Sequence, residues 1–257
     1  MYREVDRFRA LLQRQGGTPP TLVEASVLHL CATALRRPSG PAAWFDTAVA
    51  AHRFAAALAG HLGEPVPVAR VRSGIRRHFH VHRVLLEPAR AADAYAGLDR
   101  AWRAAVELVT DVRPVSPSAP RWRRRRGHAA DVWRAMLLAG APVRRADGLR
   151  LRVCGPELAT VAIRCARLLG APAELRRDGG GLQVALAPRE AHRLLATVAD
   201  AEPAAAAVPV AESAAESAAA AVPAAAGLTG AARAGCRRAP TARWAGPARR
   251  SAPVPAG

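Results

Sequence analysis

The sequence contains no lysine; all 38 of its basic residues are arginine. Its four cysteines, Cys31, Cys154, Cys165 and Cys236, form no CxxC pair, and no uninterrupted apolar run reaches the length that spans a bilayer. The cysteine pattern excludes the framework of a small disulfide-rich secreted domain, so these residues read as small apolar side chains in a reducing compartment. The opening stretch, MYREVDRFRALLQRQGG, is charged throughout and lacks the apolar centre of a signal peptide. The expected location is therefore cytoplasmic, with no membrane partner. The missing lysine also tempers the charge, because a bias towards GC-rich codons yields arginine, alanine and proline without selection for binding.

What is present is a chain of 257 residues, 51% hydrophobic, with a formal net charge of +18. That length accommodates one large or two modest cores, and the charge favours polyanionic partners. From about residue 201 the composition changes to AEPAAAAVPVAESAAESAAAAVPAAAG and then to an arginine-dotted, proline-rich tail. Alanine and proline without larger apolar side chains bury too little surface to offset the entropy of ordering, so 201–257 is expected to be disordered.

Before the tail, one pattern occurs twice. In the first half, VEASVLHLCAT has helical character, an extended pair follows at ALRRP and AAWFD, and TAVAAHRFAAALAGHLG returns to helical spacing. PVPVARVR and HFHVHRVLL read as strands around Ser73-Gly74, and a helix from Pro88 to about Leu108 closes the unit. The second half repeats this with DVWRAMLLAGA, the pair PVRRA and GLRLRVC split by Asp147-Gly148, the helix PELATVAIRCARLLG, strands APAELRR and GLQVALA, and the helix PREAHRLLATVAD. Leu35 aligns with Val143, Phe45 with Val153, and Gly63 falls within one residue of Gly170. The expected organisation is an N-terminal helical extension over 1–20, repeats over 21–110 and 128–200, a Pro/Arg-rich linker over 111–127, and the tail. The fold class is α+β, a tandem α-β-β-α-β-β-α.

That order is the plan of the LAGLIDADG homing-endonuclease fold. The run from Glu24 through VLHLCATAL, FDTAVAAHR, Gly63, GIRR and VHRVLL, and then VWRAMLLAGAPV, LRLRVCGPELA and ARLLGAPAELR, resembles the two degenerate LAGLIDADG-like repeats of the WhiA family, bacterial regulators of sporulation and cell division. The resemblance covers roughly residues 20 to 200. It implies a non-catalytic DNA-binding regulator acting in sporulation, cell division or chromosome segregation, with double-stranded DNA as partner. An alternative is a module that docks a protein of the transcription machinery. No cofactor and no small-molecule substrate are implied. WhiA proteins also carry a C-terminal helix-turn-helix, and no pair of amphipathic helices joined by a tight turn follows residue 200 here.

Active endonucleases of this fold end each repeat's first helix in an acidic residue that holds divalent metal. The aligned positions here are Ala32 and Gly140, so neither a catalytic residue nor a metal ligand is expected; Asp46 and Asp147 belong to the following hairpins. In RRHFHVHR, alternation puts Arg76, His78, His80 and His82 on one face of a strand, with Phe79, Val81 and Leu85 expected to pack against helices. The outer histidines lie too far apart along a strand to share one zinc ion. The resemblance implies that the sheet face away from the helices meets DNA, so the stripe is expected to be part of that surface, the alternative being an ordinary solvated sheet face. Arg150 and Arg152 are its counterparts in the second repeat. Arg70 and Arg72 join them if a bulge resolves the change of apolar parity between Val68 and Val71. Between the repeats, Arg121, Trp122, Arg123, Arg124, Arg125 and Arg126 form an arginine run that like-charge repulsion should keep extended, suited to tracking phosphates while the tryptophan stacks on a base.

Overall fold

Thr21 opens the ordered repeat: its hydroxyl accepts the Glu24 amide proton at 3.1 Å and starts helix α1 (Leu22–Leu35). Strand β1 (Ala42–Phe45) follows, then α2 (Ala48–Leu62), capped by Thr47 at its start and closed by Gly63 at φ 73°. Strands β2 (Val68–Ser73) and β3 (Phe79–Leu85) lead to α3 (Pro88–Thr110). The second half runs α4 (Pro120–Ala139), β4 (Leu149–Arg152), α5 (Pro156–Leu168), β5 (Glu174–Asp178), β6 (Gly181–Leu186) and α6 (Pro188–Asp200). Proline stands in the first turn of α3, α4, α5 and α6, where its missing amide proton costs nothing. The computed structural model describes residues 5–6, 9–10, 19–35, 42–73, 79–140, 148–178 and 181–201. All lie in the first of two units, 1–209, and the second, 210–257, falls outside the described residues.

Each half therefore presents a three-stranded antiparallel sheet with the long hairpin's second strand in the middle, β1-β3-β2 and β4-β6-β5. The two sheets are built alike. Ala43 stands opposite Val84 in the first as Leu151 stands opposite Val184 in the second. Gly63 and Gly170 both adopt the left-handed conformation after the second helix of their halves, at φ 73° and 75°. The strands expected at ALRRP and PVRRA fall largely on residues 36–38 and 142–146, outside the described residues, while Ala34 and Leu35 complete α1.

Two local expectations are corrected. Strand β2 pairs with β3 residue for residue from Val68 to Ser73, with no bulge; Val68 and Val71 simply face opposite sides. The arginine run is not extended but forms the first turns of α4. Its charge is answered at the C-terminal end of α3, where Arg125 donates to the Val109 carbonyl at 3.2 Å and Arg121 pairs with Asp111. Arg164 of α5 donates to the neighbouring Thr110 carbonyl at 3.1 Å. Cations beside the negative end of a helix offset the repulsion that an isolated run would suffer.

The two halves share one continuous core, with α1 packed along α4. At its centre is a buried ionic network. Glu24 is fully buried and takes both arms of Arg53 from α2, at 2.5 and 2.8 Å. Arg134 of α4 lies 3.6 Å from the same carboxylate and 2.8 Å from Asp131. Thr21 donates its hydroxyl to Asp131 at 2.8 Å, and Arg134 also donates to the Val198 and Ala201 carbonyls at the end of α6, each at 3.2 Å. Two carboxylates and two guanidinium groups thus tie α1, α2, α4 and α6 together away from water. Burial pushes the Asp131 carboxyl up to about 7, with the Glu24 charge adding to it against the pull of Arg134 and Thr21.

Removing one partner from such a network leaves a buried charge uncompensated. Arg134→Ala is therefore expected to lower unfolding free energy by about 3–5 kcal/mol, seen as a reduced midpoint in denaturant titration. Asp131 holds its proton more tightly when folded than an unfolded aspartate does, so its contribution to stability is complete below pH 3.8 and is lost as pH rises through about 7. Over that window the stability of Asp131→Asn should fall less steeply with pH than that of the parent chain.

Candidate nucleic-acid interface

The side of each sheet that meets the helices is fixed by its core residues. Phe45 of β1 contacts Phe54 of α2 with ring centres 5.1 Å apart, and Ala43, Phe45 and Val84 all belong to the core. Directly opposed residues in an antiparallel pair share a face. His82, opposite Phe45 and Arg70, therefore lies on the helix side, together with His80 opposite Arg72. His82 accordingly feels His52 of α2: burial lowers its pKa first, and the His52, Arg70 and His80 charges add to that.

This reverses the expected facing of the strand. His80, His82, Arg70 and Arg72 are on the helix side of the first sheet, at the end of the strands where α2 leaves them partly or fully exposed. Phe79, Val81 and Leu85 lie on the side away from the helices, where Phe79 is 47% exposed, Leu85 half-buried and Val81 fully buried. Arg76 and His78 fall outside the described residues. The reason is that β3 carries apolar residues on both parities. The alternation HFHVH marks Phe79 and Val81, while the helix-covered part of the strand uses Val84, and Leu86 just beyond it, on the other parity. Sequence reasoning also missed Arg83, which does face outward, with its guanidinium carbon 5.2 Å from the centre of the Trp44 ring.

In the second sheet the expected parity is observed. Leu149 and Leu151 are buried in the core, and Arg150 and Arg152 point the other way. Across the ladder, Arg150 stands opposite Ala185, and Arg152 opposite Gln183, which in turn faces Arg176 of β5. Arg150, Arg152 and Arg176 thus share one outward face. Arg152 and Arg176 are exposed, and Arg176 lies 3.4 Å from the Glu174 carboxylate on its own strand. The equivalent positions of the first sheet are Ala42, Trp44 and Ala69, so the two outward faces differ in charge although their registers match.

Of the arginine run, Arg121 and Arg125 are committed to the end of α3, and Trp122 is half-buried. Arg123, Arg124 and Arg126 are exposed.

The helix ends that would carry metal-binding carboxylates in an endonuclease do not fit that role. Ala32 is packed in the core one turn before the end of α1, and Gly140 caps α4. Arg9 donates to the Leu137 carbonyl at 2.9 Å and to the Gly140 carbonyl at 3.2 Å, so a cation already lies against that helix end. Among the described residues no group of three or more His, Cys, Asp or Glu side chains is placed to hold a metal ion. Asp46 is exposed in the loop after β1, and Asp147 lies outside the described residues. Burial pushes the Cys31 thiol up to about 12 and raises that of Cys165 as well, whereas Cys154 is exposed. Among the described residues no helix is long and apolar enough to cross a membrane.

No protein-family model matches the chain, and no curated protein does. Solved structures similar to it include two of DUF199/WhiA. One, described as the N-terminal LAGLIDADG domain of DUF199/WhiA, is 10% identical, with 76% of this chain and 89% of that chain covered and a TM-score of 0.45. The other, full-length DUF199/WhiA from Thermatoga maritima, is 9% identical, with coverage of 76% and 60% and a TM-score of 0.46. The chain thus spans about three fifths of the full-length protein.

A Cβ built on Gly140 would sit 2.3 Å from the Met136 carbonyl oxygen of its own helix. Gly140→Ala is therefore expected to destabilise the protein by about 1–3 kcal/mol, the range for forced overpacking. A thermal melt of the variant beside Gly60→Ala, where the added carbon meets nothing within 4 Å, provides the comparison.

Proposed function

We propose that the protein is a non-catalytic, DNA-binding regulator of the WhiA type, in which the outward face of the second sheet supplies the main contact with the duplex. The observation that carries this reading is the shared outward face of Arg150, Arg152 and Arg176. Guanidinium groups on a sheet face away from the helices can bind phosphates without rearranging the core, and each has the fork geometry that matches a phosphate or a guanine edge. The net charge of +18 adds long-range attraction for a polyanion. Sporulation and cell-division control are the processes that the residue-level resemblance implies.

The first sheet contributes differently. Its outward face offers Arg83 stacked on Trp44 rather than a row of cations, so contact there is narrower and has an aromatic component. Neither Ala32 nor Gly140 supplies the carboxylates that phosphodiester cleavage requires, and the Arg9 guanidinium repels a metal ion at the helix end. Binding without cleavage is the chemistry these residues support. The pairs that face the helices, His80 with Arg72 and His82 with Arg70, are not part of this surface.

The test is duplex affinity across a salt series for the full chain and for the Arg150→Ala/Arg152→Ala/Arg176→Ala variant. Removing one arginine–phosphate interaction should reduce the steepness of log K against log salt by about 0.9. A slope that falls by roughly two to three in the triple variant supports the sheet as the binding face by that rule. An unchanged slope removes the sheet from the interface. Affinity no better than that of an unrelated basic protein favours a protein-docking role instead.

A further inference from the structure

The arginines at the start of α4 belong to the helix layer on the covered side of the second sheet, whereas those of β4 and β5 point from its other side. Helix α4 ends beside the second sheet on its covered side: a Cβ on Gly140 would lie 3.7 Å from Leu151, whose side chain points into the core. From there the helix runs back towards its arginine-rich start, so Arg126 lies about 20 Å along the axis from Ala139 at 1.5 Å per residue. At that start, α4 meets the C-terminal ends of α3 and α5 through Arg125 and Val109, and through Arg164 and Thr110. Arg150, Arg152 and Arg176 project from the opposite side of the sheet. The sheet and its helix layer therefore separate the two sets of cations.

We infer that exposed Arg123, Arg124 and Arg126 form a second duplex-binding site, on the side of the protein away from the sheet face, so that one molecule can hold two DNA segments. The inference rests on the proposed sheet-face binding and adds a separate surface to it. Local charge balance distinguishes these arginines from their neighbours. Arg121 and Arg113 share Asp111, and Arg103 is paired with Asp99 at 2.5 Å. Arg123, Arg124 and Arg126 have no carboxylate within ion-pair distance among the described residues, and the Arg124 charge helps burial lower the pKa of His128 to about 4. Their spacing on the helix sends them to several sides of its exposed first turns, a spread that suits the repeated phosphates of a duplex. A short stretch of B-DNA is stiff, with a persistence length of about 150 bp, so one 20-bp segment does not wrap from one surface to the other.

The experiment uses the full chain and two 20-bp duplexes, one labelled with a donor and one with an acceptor fluorophore. Energy transfer between the duplexes reports bridging, and anisotropy of either duplex alone reports single-segment binding. The parent chain should bridge at substoichiometric protein and lose the signal when protein is in excess, because each duplex then fills its own molecule. Arg123→Ala/Arg124→Ala/Arg126→Ala should reduce bridging at least tenfold while still binding a single duplex through the sheet. Arg150→Ala/Arg152→Ala/Arg176→Ala should also abolish bridging, with single-duplex binding retained through α4. Bridging that survives loss of the α4 arginines overturns the inference and leaves the sheet-face reading standing. Loss of all single-duplex binding in the sheet variant overturns it too, by assigning every contact to one surface. If poly-glutamate is held by the α4 arginines while no duplex is, the site belongs to an acidic protein and the inference falls. If no duplex is bound by any form, the sheet-face reading falls with it.

Discussion

The arrangement of the whole unit depends on burying two carboxylates and two guanidinium groups at one point. Glu24 and Asp131 come from the first helix of each half, so the network is where the halves meet. Buried charges tolerate little variation in geometry, because any shift that lengthens a contact leaves desolvated charge without a partner. Arg53 carries the constraint into α2, which lies on the first sheet through Phe54 and Phe45. Arg134 carries it to the last carbonyls of α6, which follows directly on β6. Among the described residues no strand of one sheet pairs with a strand of the other, so the relative placement of the two sheets is set through their helices.

Much of this architecture is legible in the sequence because local rules decide it. The helices over 48–62, 156–168 and 188–200 follow from periodicity with Thr47 or proline at their starts, and the glycine after the second helix of each half marks a left-handed close. The repeat is visible because the same local choices recur in the same order. Strand facing is less legible, because β3 has valine on both parities and which one meets helices depends on how far α2 extends over the sheet. In β4 no such ambiguity exists, since Leu149 and Leu151 are apolar and both alternating partners are arginine. The arginine run is helical where repulsion alone predicts an extended segment, because its neutralising partners, Asp111 and the carbonyl end of α3, are brought to it by the fold. The ionic network is hidden in the sequence for the same reason: Thr21, Glu24, Arg53, Asp131 and Arg134 are ordinary polar residues until the helices assemble.

Matching registers with unlike surfaces show how a duplicated fold can specialise. The core-facing positions of β1 and β4 keep the same role, Ala43 and Leu151 both contacting their central strands from the buried side. On the other face the two sheets differ: Ala42 is buried and Trp44 half-buried where Arg150 and Arg152 stand in the second sheet. The first sheet keeps small or apolar side chains there, and the second carries charge around buried Gln183 and Ala185. The two faces therefore have no need of two-fold symmetry, and positive charge is concentrated on the second.

The helix ends complete that logic. In a catalytic arrangement, two carboxylates would have to face each other across the close contact of α1 and α4, held together by metal charge. Here Ala32 fills core volume, and the last carbonyls of α4 are bound by the Arg9 guanidinium. Restoring a carboxylate at Gly140 would require a side chain where even one carbon meets the Met136 carbonyl at 2.3 Å. It would also place a negative charge at the negative end of a helix, which is unfavourable without the metal. A carboxylate at this helix end is therefore opposed by backbone geometry, packing and electrostatics together.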